Sequence, residues 1–295
     1  MCLVIVSSLE DPAGTNIKKH LLKLSNWEEG EEFKGNPVLW STQVRDTLLV
    51  TIEDRTIFHE HLDKEIEVEI GVKPKQMIYI SRHTSQTGEP TLTTHPVGNY
   101  GVAEYGGETG KLCPSSPRLM TTLLRILKKK AVESNLYHKV CFEVTHHGPI
   151  LDTPVLYVEV GSNEEEWLKE KPSEVVATSV LELINTARYE EDLPKDIPVL
   201  IGIGGGHYAP RFTDVALEKY AAFGHMVPRY QIEAGNFREE TLDEILEKTP
   251  DIYAGYFHRK SLKKADMRLF KKWFEDRGLP IISSKELREL NEENL

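Results

Sequence analysis

Cysteine is scarce in this sequence, and long apolar runs are missing. The three cysteines, Cys2, Cys113 and Cys141, are far apart and in no Cys-x-x-Cys pairing. We therefore expect no disulfides and a reducing compartment, of which the cytoplasm is the simplest. The apolar start is too short, and has too little positive charge before it, to be a signal peptide. No later apolar run approaches the length of a membrane span, so a membrane protein is not expected.

Positive charge is also in short supply. The chain has 36 lysine and arginine residues against 47 aspartate and glutamate residues, which gives a net charge of −11. An acidic surface repels polyanions overall, so we expect no DNA binding, and an RNA partner needs a local basic patch. Two patches are present, Arg125 with residues 128–130 and a longer one at residues 259–272. Each also fits an ordinary solvated helix face.

The pattern of apolar residues predicts an α/β fold. Runs rich in β-branched and aromatic residues predict strands at 2–7, 47–52, 76–82, 139–145, 154–160, 197–203, 252–256 and 280–282. Helical periodicity predicts helices at 116–133, 173–189, 212–223, 241–248 and 261–276. Because strands and helices alternate in the second half, we expect a three-layer fold with a mixed, largely parallel sheet and helices on both faces.

The sequence contains no internal repeat and no long linker. We therefore expect a single catalytic unit over residues 1–295, a length that can bury a continuous core without disulfides. If the chain forms two lobes, the break is expected near Asp192, which gives lobes of about 1–192 and 193–295. We expect a monomer.

Histidines occupy the ends of three predicted strands. His83 follows one strand, His146 and His147 follow another, and His207 follows a third after a glycine turn, while His95 lies beyond the loop that follows His83. One histidine at a strand end is usually a satisfied core residue or a cap, but three at equivalent ends are hard to explain that way. Ligands of open α/β sheets bind outside the carboxyl ends of the strands. We therefore predict one active site that contains these side chains.

His146 and His147 need a change of chain direction to share a pocket. Adjacent side chains of an extended strand point to opposite faces, and the Gly-Pro pair that follows supplies a turn. Neutral imidazole is a good zinc ligand, and a carboxylate such as Glu143 or Asp214 can complete a metal site or act as general base. The sequence has no short zinc motif, so the choice of ligands stays open.

A glycine loop connects a predicted strand to the helix that begins near Arg211. The main-chain N–H groups of Gly204, Gly205 and Gly206 can approach an anion closely, and the dipole of the following helix favours a phosphate or carboxylate. The loop is not a dinucleotide fingerprint, because His207 stands where a third glycine is needed. A plain strand-to-helix turn remains the alternative.

Two further segments have weaker signals. Lys18 lies in the first turn of a helix that Thr15 or Asn16 can cap, and its charge opposes the helix dipole, a misfit that sometimes marks an anion site. His59 and His61 begin a run similar to the ligand run of metallo-β-lactamase-type hydrolases, but a lysine replaces its final histidine. The surroundings are highly charged, so we expect that run to be a surface segment.

Four runs of the sequence resemble motifs of a known family. They are residues 81–83 (Ser-Arg-His), 92–99 (Leu-Thr-Thr-His-Pro-Val-Gly-Asn), 143–149 (Glu-Val-Thr-His-His-Gly-Pro) and 204–214 (Gly-Gly-Gly-His-Tyr-Ala-Pro-Arg-Phe-Thr-Asp). They resemble those of the archaeal and plant type of D-aminoacyl-tRNA deacylase, and the resemblance spans nearly the whole chain. It implies a zinc enzyme with a phosphorylase- or peptidyl-tRNA-hydrolase-like fold that frees tRNA from D-amino acids such as D-tyrosine.

Together, the strand-end pattern and the resemblance give a set of expected roles. The expected catalytic residues are His83, Glu143, His147, His207, Tyr208 and Asp214. The expected zinc ligands are His95, His146, His147 and His207. The expected contacts with the acceptor end of D-aminoacyl-tRNA are Lys18, Arg82, Asn99, Gly204, Gly205, Gly206 and Arg211. The basic segment from Arg259 to Lys272 is expected to bind phosphates of the acceptor stem.

Two other functions stay open at this stage. A zinc amidohydrolase or peptidase that acts on small substrates would use the same histidines, although the sequence has no His-Glu-x-x-His helix. A non-catalytic RNA-binding module would use the basic patches, and its histidines would be structural. A serine hydrolase is not favoured, because no Gly-x-Ser-x-Gly motif occurs.

Overall fold

The computed structural model describes residues 2–291, and its strands form two sheets. The larger sheet contains β1 (Cys2–Ser8), β2 (Trp27–Phe33), β3 (Asn36–Ser41), β4 (Thr47–Ile52), β5 (Pro74–Arg82), β6 (Thr91–Pro96), β7 (Lys139–Phe142) and β8 (Val155–Gly161). Its spatial order is β2-β3-β4-β1-β5-β8-β6-β7. The pairings of β1 with β4 and β5, of β5 with β8, and of β6 with β7 are parallel. β8 is antiparallel to β6, so β6 and β7 run against the direction of β5.

The smaller sheet is wholly parallel. It contains β9 (Val199–Ile203), β10 (Ala222–Val227), β11 (Ile252–Phe257) and β12 (Ile281–Ile282). Its order is β10-β9-β11-β12, and all three pairings are parallel. The α-helices of the described residues are α1 (Pro12–Leu24), α2 (Leu62–Ile70), α3 (Pro117–Glu133), α4 (Glu164–Trp167), α5 (Glu170–Thr186), α6 (Pro210–Glu218), α7 (Arg229–Glu233), α8 (Glu239–Glu247) and α9 (Lys264–Asp276).

Both faces of the larger sheet are covered. On β1, Leu3 and Ile5 are buried in a cluster with apolar residues of α1, α3 and α5. Val4 and Val6 are buried in a second cluster, which includes Leu62 of α2. Each such side chain contributes roughly 1.5–3 kcal/mol relative to exposure. The expected mixed, largely parallel sheet with helices on both faces is therefore confirmed, and α3 also packs against β10 and so joins the two sheets.

Four strands were not predicted from the sequence. The missed strands are β2, β3, β6 and β10. The helix predicted at 212–223 is too long, because α6 ends at Glu218 and residues 222–227 form β10. Every residue of β10 is buried, and a strand buried on both faces has no alternation that distinguishes it from a helix. None of the helices within residues 2–291 has the length and apolar character needed to cross a membrane.

Two local predictions near the N-terminus were wrong. The cap of α1 is Asp11, whose side chain accepts the Gly14 N–H at 2.8 Å, and not Thr15 or Asn16. The segment that begins at His59 is only in part a surface segment, in which His61 and Lys64 are exposed. His59 is buried, with Nδ1 2.7 Å from Asp54 and Nε2 3.0 Å from Glu65. Its imidazole therefore holds the chain between β4 and α2 in place.

Candidate active site

Five of the sequence-predicted histidines lie side by side in the folded chain. Ring centroids are separated by 4.1 Å for His146 and His147, 4.3 Å for His95 and His146, and 4.7 Å for His146 and His207. The ring of His83 lies 5.7 Å from that of His207. These side chains come from four separate stretches of sequence, so the fold itself creates the cluster.

The cluster forms at the junction of the two sheets. His83 follows β5, whereas His95, His146 and His147 come from β6 and the segment after β7, which run the opposite way. The segment after β7 crosses to the smaller sheet, where the N–H of Val144 donates to the carbonyl of His207 at 2.9 Å. The site is therefore not a row of equivalent strand ends, as the sequence suggested, but a seam between oppositely directed segments.

His95, His146 and His147 share one feature, and we call them the backbone trio. In each ring Nδ1 lies close to a main-chain carbonyl: 3.1 Å from Pro96 for His95, 2.8 Å from Val144 for His146 and 3.2 Å from Gly148 for His147. Donation of Nδ1–H to these carbonyls leaves a lone pair on each Nε2, and Nε2 of His146 lies 3.3 Å from the Glu143 carboxylate. Potential ligand atoms of the three residues all lie within 4.8 Å of one another.

The backbone trio fits a zinc ion. Histidine ligands of zinc usually donate their second N–H to a carbonyl or carboxylate, which fixes the ring and its tautomer. The Nε2 atom of His95 is buried without a hydrogen-bond partner among the described residues, and such an orphaned nitrogen is costly unless something binds it. Burial, followed by the charge of neighbouring imidazoles, lowers the pKa of His146 to about 4 and that of His147 well below its usual value. Both rings are therefore in the neutral form that metals bind.

A second group is built around a buried carboxylate, and we call His83, Glu143 and His207 the carboxylate trio. Glu143 is completely buried, with Oε1 3.1 Å from Nδ1 of His83 and Oε2 2.8 Å from Nε2 of His207. Nε2 of His83 lies 3.0 Å from the hydroxyl of Tyr208. An ion pair between Glu143 and His83 and a hydrogen bond between His83 and Tyr208 therefore connect a buried carboxylate to a phenol.

The pKa of His83 is shifted in the opposite direction to those of His146 and His147, whereas the pKa of His95, although burial lowers it, is raised by the nearby Glu159 and Glu143 carboxylates. Burial lowers the pKa of His83, but the charge of Glu143 and hydrogen bonds to Glu143 and Glu159 outweigh it and raise the pKa to about 11. Burial raises the pKa of Glu143, but the charge of His83 and bonds from the surrounding imidazoles outweigh it and hold the pKa well below its usual value. Hence His83 carries a positive charge and Glu143 a negative one at neutral pH.

Glu159 of β8 is a second buried carboxylate of the site. It is buried, its Oε1 accepts the Ser81 hydroxyl at 2.5 Å, and its Oε2 lies 3.6 Å from Nδ1 of His83 and 3.7 Å from Nε2 of His95. It therefore contacts both trios. Glu159 was not predicted from the sequence to belong to the site. A single glutamate within an otherwise apolar predicted strand nevertheless indicates a buried charge.

Four residues of the two trios line a cavity of ≈ 440 Å³, whereas His95 and Glu143 are not part of its lining. His83, His146, His147 and His207 line it together with Glu159, Asp11, Arg82, Arg55 and Tyr105. Burial raises the pKa of Asp11 to about 6, because the two main-chain N–H bonds that it accepts compensate only in part. The cavity is thus a polar pocket with imidazoles at one end and charged groups of both signs on its walls.

Other residues expected in the site lie elsewhere or have structural partners. Arg82 lines the cavity and Tyr208 reaches it through His83. Lys18, however, donates to the hydroxyl of Thr51 at 2.7 Å. Asn99 donates to the carbonyl of Gly106 at 2.9 Å. Asp214 is exposed on α6, outside the cavity lining.

The glycine loop also binds its own protein neighbours. The N–H of Gly205 donates to Ser261 at 2.8 Å, and that of Gly204 donates to the carbonyl of Val227 at 2.7 Å. Arg211 donates to the hydroxyls of Tyr256 and Ser284, at 3.1 and 2.9 Å. The left-handed dihedrals of Gly204 and Gly205 let the chain turn back beside His207. A phosphate site at Gly204, Gly205, Gly206 and Arg211 stays a prediction.

Comparison with known proteins identifies the family. The family model described as D-aminoacyl-tRNA deacylase matches residues 70–282, a stretch that contains both trios. This chain belongs to the D-aminoacyl-tRNA deacylase family. The resemblance stated from the four sequence runs is therefore confirmed.

Relatives of this deacylase family match over nearly their whole length. A D-aminoacyl-tRNA deacylase of Pyrococcus horikoshii is 36% identical over 282 residues, which cover 95% of this chain and 98% of the relative. One of Methanosarcina acetivorans is 38% identical over 292 residues, which cover 97% and 94%. The crystal structure of a conserved protein of unknown function superposes with a TM-score of 0.87 at 28% identity, and covers 98% of this chain and 99% of that one. Family and fold assignments thus agree.

Proposed function

We propose that this protein hydrolyses the ester bond between a D-amino acid and tRNA, and so returns the tRNA to use. The proposal rests mainly on one observation: four histidines, two from each trio, line a single cavity in a member of the deacylase family. Ester hydrolysis needs an activated water and stabilisation of a tetrahedral oxyanion. The carboxylate trio can accept a proton from water, and the backbone trio can hold a metal ion that polarises the ester carbonyl.

Zinc is the proposed cofactor, and His95, His146 and His147 are its proposed ligands. Their three Nε2 atoms, with every Nδ1 directed to a main-chain carbonyl, support this assignment. Bound zinc would act as a Lewis acid toward the ester carbonyl. His207, expected from the sequence to be a further ligand, instead donates to Glu143, and we propose that it belongs to the acid–base group.

The carboxylate trio supplies proton transfer. Because Nε2 of His207 lies 2.8 Å from the Glu143 carboxylate, its Nε2–H is the donor and Nδ1 keeps a lone pair that can accept a proton from water. Charged His83 donates from Nδ1 to Glu143 and from Nε2 to the oxygen of Tyr208. The hydroxyl proton of Tyr208 is then free to stabilise the oxyanion or the leaving ribose oxygen. In this mechanism the exposed Asp214 has no chemical role.

The proposed surface for the acceptor stem is the basic segment before and within α9. Exposed cations occur at Arg259, Lys260, Lys263, Lys264 and Arg268. The segment lies next to the active site, because Ser261 accepts a hydrogen bond from Gly205 in the loop that leads to His207. Phosphate contacts here would give an affinity that falls with salt, despite the net charge of −11. Arg125 of the other patch instead donates to main-chain carbonyls at the end of α6 and just after it.

The proposal is tested by release of tyrosine from D-tyrosyl-tRNA and L-tyrosyl-tRNA, with and without a chelator. We expect rapid hydrolysis of the D-ester only, loss of activity with chelator, and recovery when zinc is added back. Equal rates on both esters, or none on either, would contradict the proposal. Activity on small amides without tRNA would favour the amidohydrolase alternative, which the deacylase relatives do not support. Cytoplasmic location and a monomeric state remain part of the same proposal.

A further inference from the structure

Two stacked pairs of an arginine and an aromatic ring lie at the histidine cavity. The guanidinium of Arg82 is 5.1 Å from the ring centre of Trp167, and that of Arg55 is 5.2 Å from the ring centre of Phe58. Both arginines line the cavity. A guanidinium that lies over a ring keeps its in-plane N–H groups directed outward, where they can bind a phosphate.

Neither guanidinium forms a close ion pair among the described residues. The guanidinium of Arg82 donates to the main-chain carbonyl of Glu10 at 3.4 Å, whereas the main-chain N–H of Arg82 donates to the Asp11 carboxylate at 3.0 Å. Within residues 2–291 neither guanidinium lies within 4 Å of a carboxylate. Two guanidinium groups without a direct carboxylate partner, at the opening of a cavity that Glu10, Asp11 and Glu159 also line, indicate an anionic ligand.

An exposed tyrosine stands at the same opening on a fixed loop. Tyr105 lines the cavity and is 58% exposed, and nearby Phe58 is 48% exposed. The carbonyl of Tyr105 accepts the N–H of Gly148 at 3.0 Å, and the N–H of Gly107 donates to Glu60 at 2.6 Å. The loop backbone that carries the ring is therefore held in position while the ring itself is uncovered, so little backbone flexibility is lost when a flat ligand stacks on it.

Given the proposed function, chemistry limits what can occupy this opening. The ester joins the amino acid to the terminal ribose of the tRNA, so when the carbonyl meets the histidines the last base and its phosphate must lie at the cavity mouth. We infer that Tyr105 stacks on the terminal adenine and that Arg55 and Arg82 bind the phosphates of the single-stranded 3′ end. Stacking plus backbone charge is the usual way in which proteins hold single-stranded ends.

The inference is tested by binding of uncharged tRNA, which requires no catalysis. Labelled tRNA with the complete CCA end and the same tRNA without its terminal adenosine are titrated against the wild-type protein. We expect about tenfold tighter binding of the complete tRNA, from the stacking of one base. Tyr105→Ala should abolish this preference and Tyr105→Phe should keep it. The matched control is Tyr253→Ala, since Tyr253 is 55% exposed at the start of β11, away from the cavity.

The arginines are tested by the salt dependence of the same binding. Arg55→Gln should weaken binding of both tRNAs and reduce the slope of log K against log salt by about 0.7, the value for one single-strand phosphate. Arg45→Gln, whose side chain is 90% exposed, should change neither quantity. Thermal melting by circular dichroism checks that each variant is folded.

The possible results separate this inference from the proposed function. Equal affinity of the wild type for the two tRNAs, or an equal loss in Tyr253→Ala, would overturn the inference even if D-esters are hydrolysed. An undiminished preference for the complete tRNA in Tyr105→Ala would also overturn it. A preserved preference for the complete CCA end in a protein that hydrolyses no D-ester would support the binding site and contradict the deacylase proposal.

Discussion

The two trios place the same side chain in two different states. In the backbone trio the imidazoles bond to main-chain carbonyls, and burial lowers the pKa of His146 to about 4. In the carboxylate trio His83 is also buried, but Glu143 and Glu159 overcome the cost of burial and raise its pKa to about 11. Nε2 of His146 also lies 3.3 Å from the Glu143 carboxylate. The difference therefore lies in the balance of neighbouring charges: two carboxylates act on His83, whereas the charge of His95 adds to the burial of His146.

Removal of a member of the backbone trio should have the largest effect. We expect His147→Ala to lose zinc and to reduce kcat/KM by more than about 100-fold, since loss of even a supporting partner of a metal ligand costs up to about 100-fold. Elemental analysis of the purified variant measures the zinc. His61→Asn is the control: His61 is exposed, and asparagine tolerates its left-handed backbone. Full zinc content in His147→Ala would remove it from the ligand set.

Replacement of the central carboxylate should reverse the electrostatics of the other trio. In Glu143→Gln the largest contribution that raises the pKa of His83 disappears, so burial acts with less opposition and the pKa falls. We expect kcat to fall by about 100-fold, and the loss to deepen as pH rises and His83 deprotonates. NMR titration of His83 measures the pKa directly. An unchanged pKa in the variant would mean that Glu143 does not hold the charge.

Several parts of this site were predictable from the sequence. All five histidines and Glu143 lie in short, recognisable runs, and the alternation of strands and helices gives the correct layering. These features are local, because they depend on residue type and on spacing within one segment. The side chains of the two trios could therefore be named before their arrangement was known.

The arrangement itself depends on long-range pairing. The sequence suggested equivalent strand ends, but β8 pairs with β5 in parallel and with β6 in antiparallel fashion, so His83 and His95 approach from opposite directions. No local pattern specifies which distant strand will lie between two others. For the same reason Glu159, on the intervening strand, and Tyr105, in a loop placed by Gly148 and Glu60, were missed.

Another buried histidine, outside the two trios, affects the stability of the fold rather than the site. His225 bonds to Thr145 at 3.1 Å and to the carbonyl of Cys113 at 3.1 Å, and burial lowers its pKa to about 4. A lowered histidine pKa means that the unfolded chain binds a proton more readily, so stability is lost as pH falls below the unfolded value near 6.5. Between pH 7 and 5 we expect this residue to cost about 2 kcal/mol.

Urea unfolding at the two pH values measures that cost. The wild type should lose about 2 kcal/mol more than His225→Gln between pH 7 and 5, because glutamine does not titrate. The raised pKa of His83 has the opposite effect on the free energy of unfolding. The stabilisation that it gives is complete below pH 6.5 and is lost only as pH approaches 11. Equal pH slopes for the wild type and His225→Gln would show that the pKa of His225 does not differ between the folded and unfolded chains.

The smallest effect is expected just outside the two trios. Asp214 was expected from the sequence to be catalytic, but it is exposed on α6 and lies outside the cavity lining, whereas Thr213 beside it is buried and accepts the N–H of Phe142 at 3.0 Å. We expect Asp214→Asn to leave kcat and KM within about twofold of the wild type and to change stability by at most about 0.5 kcal/mol. Steady-state kinetics with D-tyrosyl-tRNA measures this directly. A large loss of kcat would mean that the chemistry extends beyond the seam, and that the division into a metal-binding and a proton-transferring group is incomplete.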